Sequence, residues 1–561
     1  MSQSRPAEPS QPELPGGIRD QMVLWLNQMS VLQPILEQIH RREIVRDALH
    51  IVQGEEATVV ESGRLVEVLV LNRLMAPRPL YRVGEWLQDS VLAHRLGLDP
   101  AQVNDARLGR LLDALDGVTA TIWPQLVAHA LTLGGTAVQA VYYDITSFYF
   151  EGAYDDVPEI TYGYSRDGKP DTQQLEVGLN VTAPEGVPLA YRMLAGNTAD
   201  ASTPVDNLHL LQTVLAQVAP DQPFPLVISD RAMLSLATLA AYEAAGVRYL
   251  GPLPDSTLSA TLLEQAASTD WAAHPLAYQP ARDQRGRPLQ PAEAETAEAE
   301  AGVSAGVRLR VDLPLPAVGT TPARTLTRPA WVVKSTRKAA LDAAHRETLL
   351  TRLEANLADL AGRLNRGRYR RRAAVESRLV TLLAAGTVRV RRFLQVSLHG
   401  IDDHLTLQVQ RDTAALAHAA THDGLYVLLT NDQGVDDEAM LARTKGRDRI
   451  EKRIGIVKGP LAVRPMFLEK VERIRAMLLI CLVALLVYSL LEQRARQAGL
   501  LLTGRKILER FAVCSAVRTT FAQGTTVLLA VPFSAWQQAV AQALALPDPN
   551  HWLVPLDPLP S

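Results

Sequence analysis

Residues 137–150 read AVQAVYYDITSFYF, an apolar, β-branched run that carries Asp144 and then hydroxyl side chains. This stretch decides the fold. β-branched and aromatic residues packed this densely predict a buried strand, with Asp144 expected at its end. Downstream, QQLEVGLNVTA (173–183) and VPLAYRMLAG (187–196) predict two further strands joined by the turn PEG (184–186).

The run TPVDNLHLLQTVLAQV (203–218) predicts a helix with Thr203 as N-cap and Pro204 at its first position. PLVISD (225–230) is a short buried strand ending on Asp230, and AMLSLATLAAYEAAG (232–246) is a helix closed by Gly246. VRYLGPL (247–253) makes a fifth strand. Three strands, a helix, a strand, a helix and a strand is the order of an RNase H-like α/β domain with a mixed sheet.

On either side the texture changes. Between Ile18 and Leu133 apolar residues recur at three- and four-residue spacing, as in MVLWLNQMSVLQPILEQI (22–39), RLVEVLVLNRLM (64–75) and DARLGRLLDALDG (105–117), which predicts a separate helical domain. After the fifth strand comes an α+β insertion. It includes the acidic low-complexity stretch PAEAETAEAEAG (291–302), the strand PAWVVKST (329–336), amphipathic helix over 341–383, and antiparallel strands TVRVRRFLQVSLHG (387–400) and HLTLQVQRD (404–412). DGLYVLLTND (423–432) then returns to a buried strand, and DDEAMLARTKGRDRIEKRIGIVKG (436–459) to a helix. The expected boundaries are a disordered tail over 1–17, a helical domain over 18–135, the α/β domain over 136–253 and 423–498, the insertion over 254–422, and a C-terminal region over 499–561 whose pattern says little.

Bulk properties bound the function. A chain of 561 residues is long enough for several domains. Its net charge of −3 speaks against a protein coated in basic residues but leaves room for local phosphate-binding patches. Two cysteines, Cys481 and Cys514, supply neither a disulfide framework nor a zinc pattern, which fits a reducing, cytoplasmic setting. The twelve histidines show no metal-ligand spacing. AMLLICLVALLVYSLL (476–491) falls short of the roughly 18 to 20 apolar residues that span a bilayer, and it continues a charged helix. A buried core helix, with no membrane partner, is the expectation.

Cutting and joining phosphodiesters calls for two divalent ions about 3.5–4 Å apart, held by a few carboxylates on rigid elements. Asp144 and Asp230 end strands expected to be neighbours. The plain reading of either alone is a turn former or cap. On the following helix Glu451 lies four residues after Arg447 and seven before Lys458, so all three share one face. A solvated face with i,i+4 ion pairs is the plain reading there.

These residues resemble the DDE transposases of bacterial insertion sequences, in the group with a strand-rich insertion before the catalytic glutamate. That group carries a Tyr-Arg-Glu-Lys signature with gaps of two, three and six residues. Arg447, Glu451 and Lys458 match its last three positions, while Thr444 stands at the tyrosine. YDITSFYFEG (143–152), SDRAM (229–233), LYVLLTND (425–432) and the run 458–492 resemble the surroundings of the three acids, and NRLMAPRPLYRVGEWL (72–87) the accessory domain. The resemblance implies a metal-dependent enzyme, with Asp144, Asp230 and Glu451 holding Mg²⁺ as two ions, Mn²⁺ able to substitute. It implies transposon-end and target DNA as partners, a homodimer in the DNA complex, and a bacterial, nucleoid-associated location. Arg447, Lys458, Thr444 and the cluster Arg370, Arg371 and Arg372 are the expected DNA contacts. Trp331 is a candidate to stack on an extruded base, against the plainer reading of a core tryptophan. A non-catalytic DNA-binding relative and a nuclease without strand transfer remain open alternatives.

Overall fold

The computed structural model describes residues 17–53, 56–152, 154, 157–165, 168–276, 304–384, 390–461 and 468–556. The expected tail before Gly17 and the acidic stretch 291–302 lie outside them. In chain order the strands are β1 (Ile18–Trp25), β2 (Ala140–Tyr149), β3 (Gln174–Ala183), β4 (Pro188–Ala195), β5 (Leu226–Ile228), β6 (Tyr249–Pro252), β7 (Pro275–Leu276), β8 (Ser304–Leu315), β9 (Arg324–Ser335), β10 (Leu394–His399), β11 (Thr406–Arg411), β12 (Leu425–Thr430), β13 (Ser515–Phe521) and β14 (Thr526–Ala530). The chain is mixed α/β and divides into two compact units, the second running from Asp230 to Thr444 and the first made of what precedes and follows it.

In the first unit β4, β3 and β2 form an antiparallel meander, and β5 adds to β2 in parallel, giving a mixed sheet. Every residue of β3 is buried, which its near-continuous apolar run requires of a strand covered on both faces. The helix Pro204–Val218 is tied to β3 by a reciprocal amide pair, Asn180 Nδ2 to Asn207 Oδ1 at 2.7 Å and Asn207 Nδ2 to Asn180 Oδ1 at 3.0 Å. Thr203 does not cap this helix through its side chain: its hydroxyl donates instead to the Asp200 carbonyl at 3.0 Å.

The apolar stretch 476–491 lies within the helix Val471–Gln497, whose most apolar window is 94 % buried inside the unit. Helices Met29–Gln38, Glu56–Met75, Asp105–Asp116 and Thr119–Gly134 pack around it together with β4. It is the axis of the core. Its length and composition alone would suit a bilayer, but its apolar surface is spent on protein. Cys481 on this helix and Cys514 are both buried and unpaired with each other, and burial pushes each thiol up to about 11.

The N-terminal region is helical from Met29, but not before it. Residues 18–25, which the periodicity had included in the helical block, form β1, antiparallel to β13 with Val23 opposite Val517. β13 pairs in turn with β14. Met22, Val23 and Trp25 are exposed on β1, so they are no core-facing helical stripe. The partner strand lies at the far end of the chain, beyond the reach of a local pattern.

In the second unit β6, β12, β9, β8 and β7 form an antiparallel sheet in that order. The fifth strand of the sequence reading, β6, here pairs with β12. A separate core is built where the helices Thr336–Gly362 and Arg372–Ala384 and the hairpin β10–β11 meet, from Leu350, Leu353, Leu357, Leu360, Val375 and Phe393.

Among the described residues of the first unit's helices, the Glu67 carboxylate is wholly buried. Glu67 accepts from Arg41 and from Gln33, and from Arg42 Nε at 2.8 Å. Burial alone would raise its carboxyl, but Arg41 and Arg42 outweigh that and hold it at about 2. A carboxyl held below its ordinary 4.5 contributes stability in full above that value and loses it as pH falls toward about 2. Glu67→Ala strands Arg41 without its partner and is expected to destabilise the protein by about 3–5 kcal/mol. Thermal unfolding at pH 7 measures this. In the same variant the loss of stability between pH 4.5 and 2 should be shallower than in the parent.

Candidate active site

Asp144 is not the last residue of its strand. β2 continues to Tyr149, paired with β3 in an unbroken register from Ala140 opposite Ala183 to Tyr149 opposite Gln174. What ends beside Asp144 is the parallel neighbour, since β5 pairs only as far as Tyr142 opposite Ile228. The aspartate is half-buried just past that point, with one carboxylate oxygen accepting from the Ile145 amide at 3.0 Å. Because the register is unbroken, Asp144, Thr146 and Phe148 share one face of the sheet.

A helix packs onto β2. The expected single helix over 436–459 is two, Asp437–Lys445 and Asp448–Lys458, broken at Gly446 and Arg447. Glu451 lies in the first turn of the second helix, exposed, with Arg447 Nη2 at 3.0 Å from its Oε1. Lys458 places its ammonium 5.9 Å from the centre of the Phe148 ring, on the face that Asp144 shares. The helix is anchored by Arg453, a buried guanidinium within its basic run. Its Nε donates to the Gly186 carbonyl at 2.8 Å, Nη2 to the Glu185 carbonyl at 3.3 Å, and Nη1 to Glu492 on the core helix at 2.8 Å. Gly186 holds φ +76 in the β3–β4 turn, and a Cβ there would stand 3.0 Å from Arg453 Nε.

The remaining expected site residues belong to the second unit. Asp230 caps the short turn Arg231–Met233, accepting from the Arg231 amide at 2.6 Å, the plain reading of an aspartate after a strand. The Thr444 hydroxyl donates to the Met440 carbonyl at 2.8 Å, within its own helix. Trp331 is buried in β9 between Leu428 and Arg308, with the Arg308 guanidinium 5.0 Å from its ring, so the core-packing reading describes it. Arg372 is committed to structure, giving Nη1 to the Gly400 carbonyl at 3.0 Å and Nη2 to the Leu398 carbonyl at 3.1 Å. Arg370 and Arg371 are exposed, Arg370 lying 3.6 Å from Asp403.

Among the described residues one group of three metal-ligating side chains has its ligand atoms within 4.8 Å of one another: Glu264, His418 and His422. Asp144 and Glu451 are not in such a group. His418 and His422 stand four apart on one helix, a spacing that the sequence reading set aside. That signal was in the sequence; the distant Glu264 was not. A basic cleft of about 310 Å³ was also missed. It opens between the Asp448–Lys458 helix, the core helix and the start of the helix Gly504–Phe511, with Arg449, Lys452, Arg496 and Arg505 in its wall beside Glu185 and Glu492.

Residues 24–125, the last residues of β1 and the helices that follow, match a family model described as a domain of unknown function (DUF4277). No curated protein matches the chain. A cryo-EM structure of a piggyBac transposase synaptic complex with hairpin DNA is similar at 8 % identity and a TM-score of 0.38, over 88 % of this chain and 82 % of that one. A likeness that loose carries no weight for function.

Arg453→Ala removes the guanidinium that ties Glu492 to the Gly186 and Glu185 carbonyls. It is expected to cost about 3–5 kcal/mol in thermal unfolding and to speed amide exchange over 448–458. Arg453→Lys should recover only part, since an ammonium cannot span the three acceptors as the guanidinium fork does.

Proposed function

We propose that this chain is a DNA transposase of the DDE type, in which Asp144, Asp230 and Glu451 bind magnesium and the basic residues beside Glu451 hold DNA. The observation that carries the reading is Lys458 at Phe148. Glu451 lies seven residues from Lys458, about 10 Å along a helix. Asp144 lies four residues from Phe148, about 13 Å along a strand. The helix thus has the length to bring Glu451 to the level of Asp144, over the face they would share. The signature spacing of Arg447, Glu451 and Lys458 supports the same reading.

The donor set fits the ion. Carboxylates are hard oxygen ligands, and magnesium binds through one or two of them plus water and phosphate oxygens. Asp144 sits on a strand held by β3 along its whole length, which gives a rigid ligand. Bound magnesium would polarise the scissile phosphate and lower the pKa of attacking water. The chain's own contribution is positioning. Arg447 orients the Glu451 carboxylate, Arg453 fixes the helix that bears both, and Lys458 puts a cation beside the strand. An RNase H-like domain interrupted by an insertion is the architecture this reading assigns. Hydrolysis at the transposon end would be followed by attack of the freed 3′-hydroxyl on target DNA, two ends being held in a dimer.

The test uses purified protein, DNA carrying the ends of its own element, and Mg²⁺ or Mn²⁺. Asp144→Asn, Asp230→Asn and Glu451→Gln should each reduce 3′-end cleavage and joining to background while end binding in a mobility shift is retained. Normal cleavage by any one of them removes that residue from the ligand set. Cleavage without joining in the parent protein would make it a nuclease.

The basic cleft carries its own expectation. Arg449→Ala and Arg505→Ala should weaken binding alike on end and unrelated DNA, each reducing the slope of log affinity against log salt by about 1. Unchanged slopes would place the DNA elsewhere.

A further inference from the structure

In the second unit the helix Thr413–His422 packs against the helix Ala260–Ala267. His418 and His422 lie one turn apart on the first, with ring centroids 4.9 Å apart. Glu264 on the second places Oε1 3.5 Å from His418 Nε2, and a ligand atom of each of the three lies within 4.8 Å of the others. Bonds of about 2.0–2.2 Å to nitrogen and carboxylate oxygen, set tetrahedrally, put ligand atoms roughly 3.4 Å apart. The separation of Glu264 from His418 already matches that distance.

One of the three histidine and glutamate side chains has a supporting backbone contact. His422 Nδ1 lies 3.0 Å from the His418 carbonyl oxygen. A carbonyl only accepts, so this contact suits the neutral tautomer with its proton on Nδ1, whose Nε2 lone pair can serve a ligand. An imidazole that ligates through one nitrogen while the other donates to a backbone carbonyl is the usual supporting arrangement of a metal-bound histidine. The three side chains also help to line a cleft of about 590 Å³, with His345, Arg392 and Phe393 in its wall. Glu264 and His418 are exposed, so an ion can reach them without unfolding.

We propose that Glu264, His418 and His422 form a transition-metal site, zinc by its donor set, with a fourth position open to the cleft. Two imidazoles and one carboxylate suit zinc and are a poor set for magnesium, which takes oxygen. The site is separate in chemistry and residues from the carboxylates proposed for DNA cleavage. It clips the helix before β7 to the helix that leads into β12. The fourth position takes water or an anionic oxygen ligand, with the Arg392 cation in the same wall.

The experiment uses the full chain without a histidine tag, in an Asp144→Asn background so that the proposed magnesium ligands contribute less. Protein stripped with chelator is titrated with zinc sulfate against a chromophoric chelator, and with cobalt chloride by visible absorption. One zinc per chain is expected, with cobalt bands of a four-coordinate site. His418→Ala and His422→Ala should each weaken zinc by more than about tenfold, a loss seen even when only a ligand's hydrogen-bond partner is removed. Glu264→Gln should weaken it as well, and His345→Ala should not. Circular dichroism of each variant establishes that it is folded. Absence of zinc binding in the parent overturns the proposal, as does binding unchanged in a folded His418→Ala/His422→Ala variant or abolished in His345→Ala.

Discussion

The buried guanidinium of Arg453 is the constraint on which the first unit's candidate site depends. It joins three elements distant in sequence: the helix that bears Glu451, the turn between β3 and β4, and the core helix at Glu492. A charge taken out of water is tolerable only with its hydrogen bonds made, so each partner is obligatory. The turn must bring two carbonyls inward, which a glycine in the left-handed region allows without crowding the guanidinium. Glu492 must face the same way from a helix whose middle is apolar on every side. Once these conditions hold, the helix 448–458 has no freedom to slide along β2.

That coupling also explains why the apolar helix is so uniform. Val471–Gln497 serves six helices and a strand at once, so little of its middle is left for polar residues. Its charges sit at its ends. Arg473 and Arg475 grip Asp113 and Asp116 with paired bonds of 2.7–2.9 Å, and Glu492 meets Arg453 near the other end. Such paired groups fix the register of a helix whose apolar surface alone would permit rotation.

How much of this was legible in the sequence follows from the range of each interaction. The β3–β4 hairpin, the helices around residues 64–75 and 105–117, and the burial of 476–491 were readable because periodicity and turn chemistry are local. β1 was not, because its only reason to be a strand is β13. Asp144 was placed at a strand end because the text after it turns hydroxyl-rich. β2 instead runs on with β3 alone, and what stops there is β5, an event on another strand. Glu451, Arg447 and Lys458 were found through spacing. The burial of Arg453, in the same run of bases, was not legible, since nothing local marks which arginine of a basic helix turns inward.

The same distinction sorts the basic residues of a chain whose charges nearly cancel. Arg372, Arg411 and Arg346 each hold a carboxylate or carbonyl within the second unit, Arg411 bridging Glu347 and Glu354 at 2.7 Å. A guanidinium so engaged would have to give up made bonds before taking a phosphate. Composition cannot see this, because a committed arginine and an available one count alike. In the first unit the arginines that grip the core helix's start are likewise spent on structure. Arg449, Lys452, Arg496 and Arg505 differ in place rather than in pairing: they gather around one cleft, where Lys452 holds Asp448 and Arg505 holds Glu509 only through i,i+4 pairs on helix surfaces. A small net charge is therefore compatible with a local concentration of positive charge, provided that most cations are neutralised in place and several solvent-facing ones are gathered around one cleft.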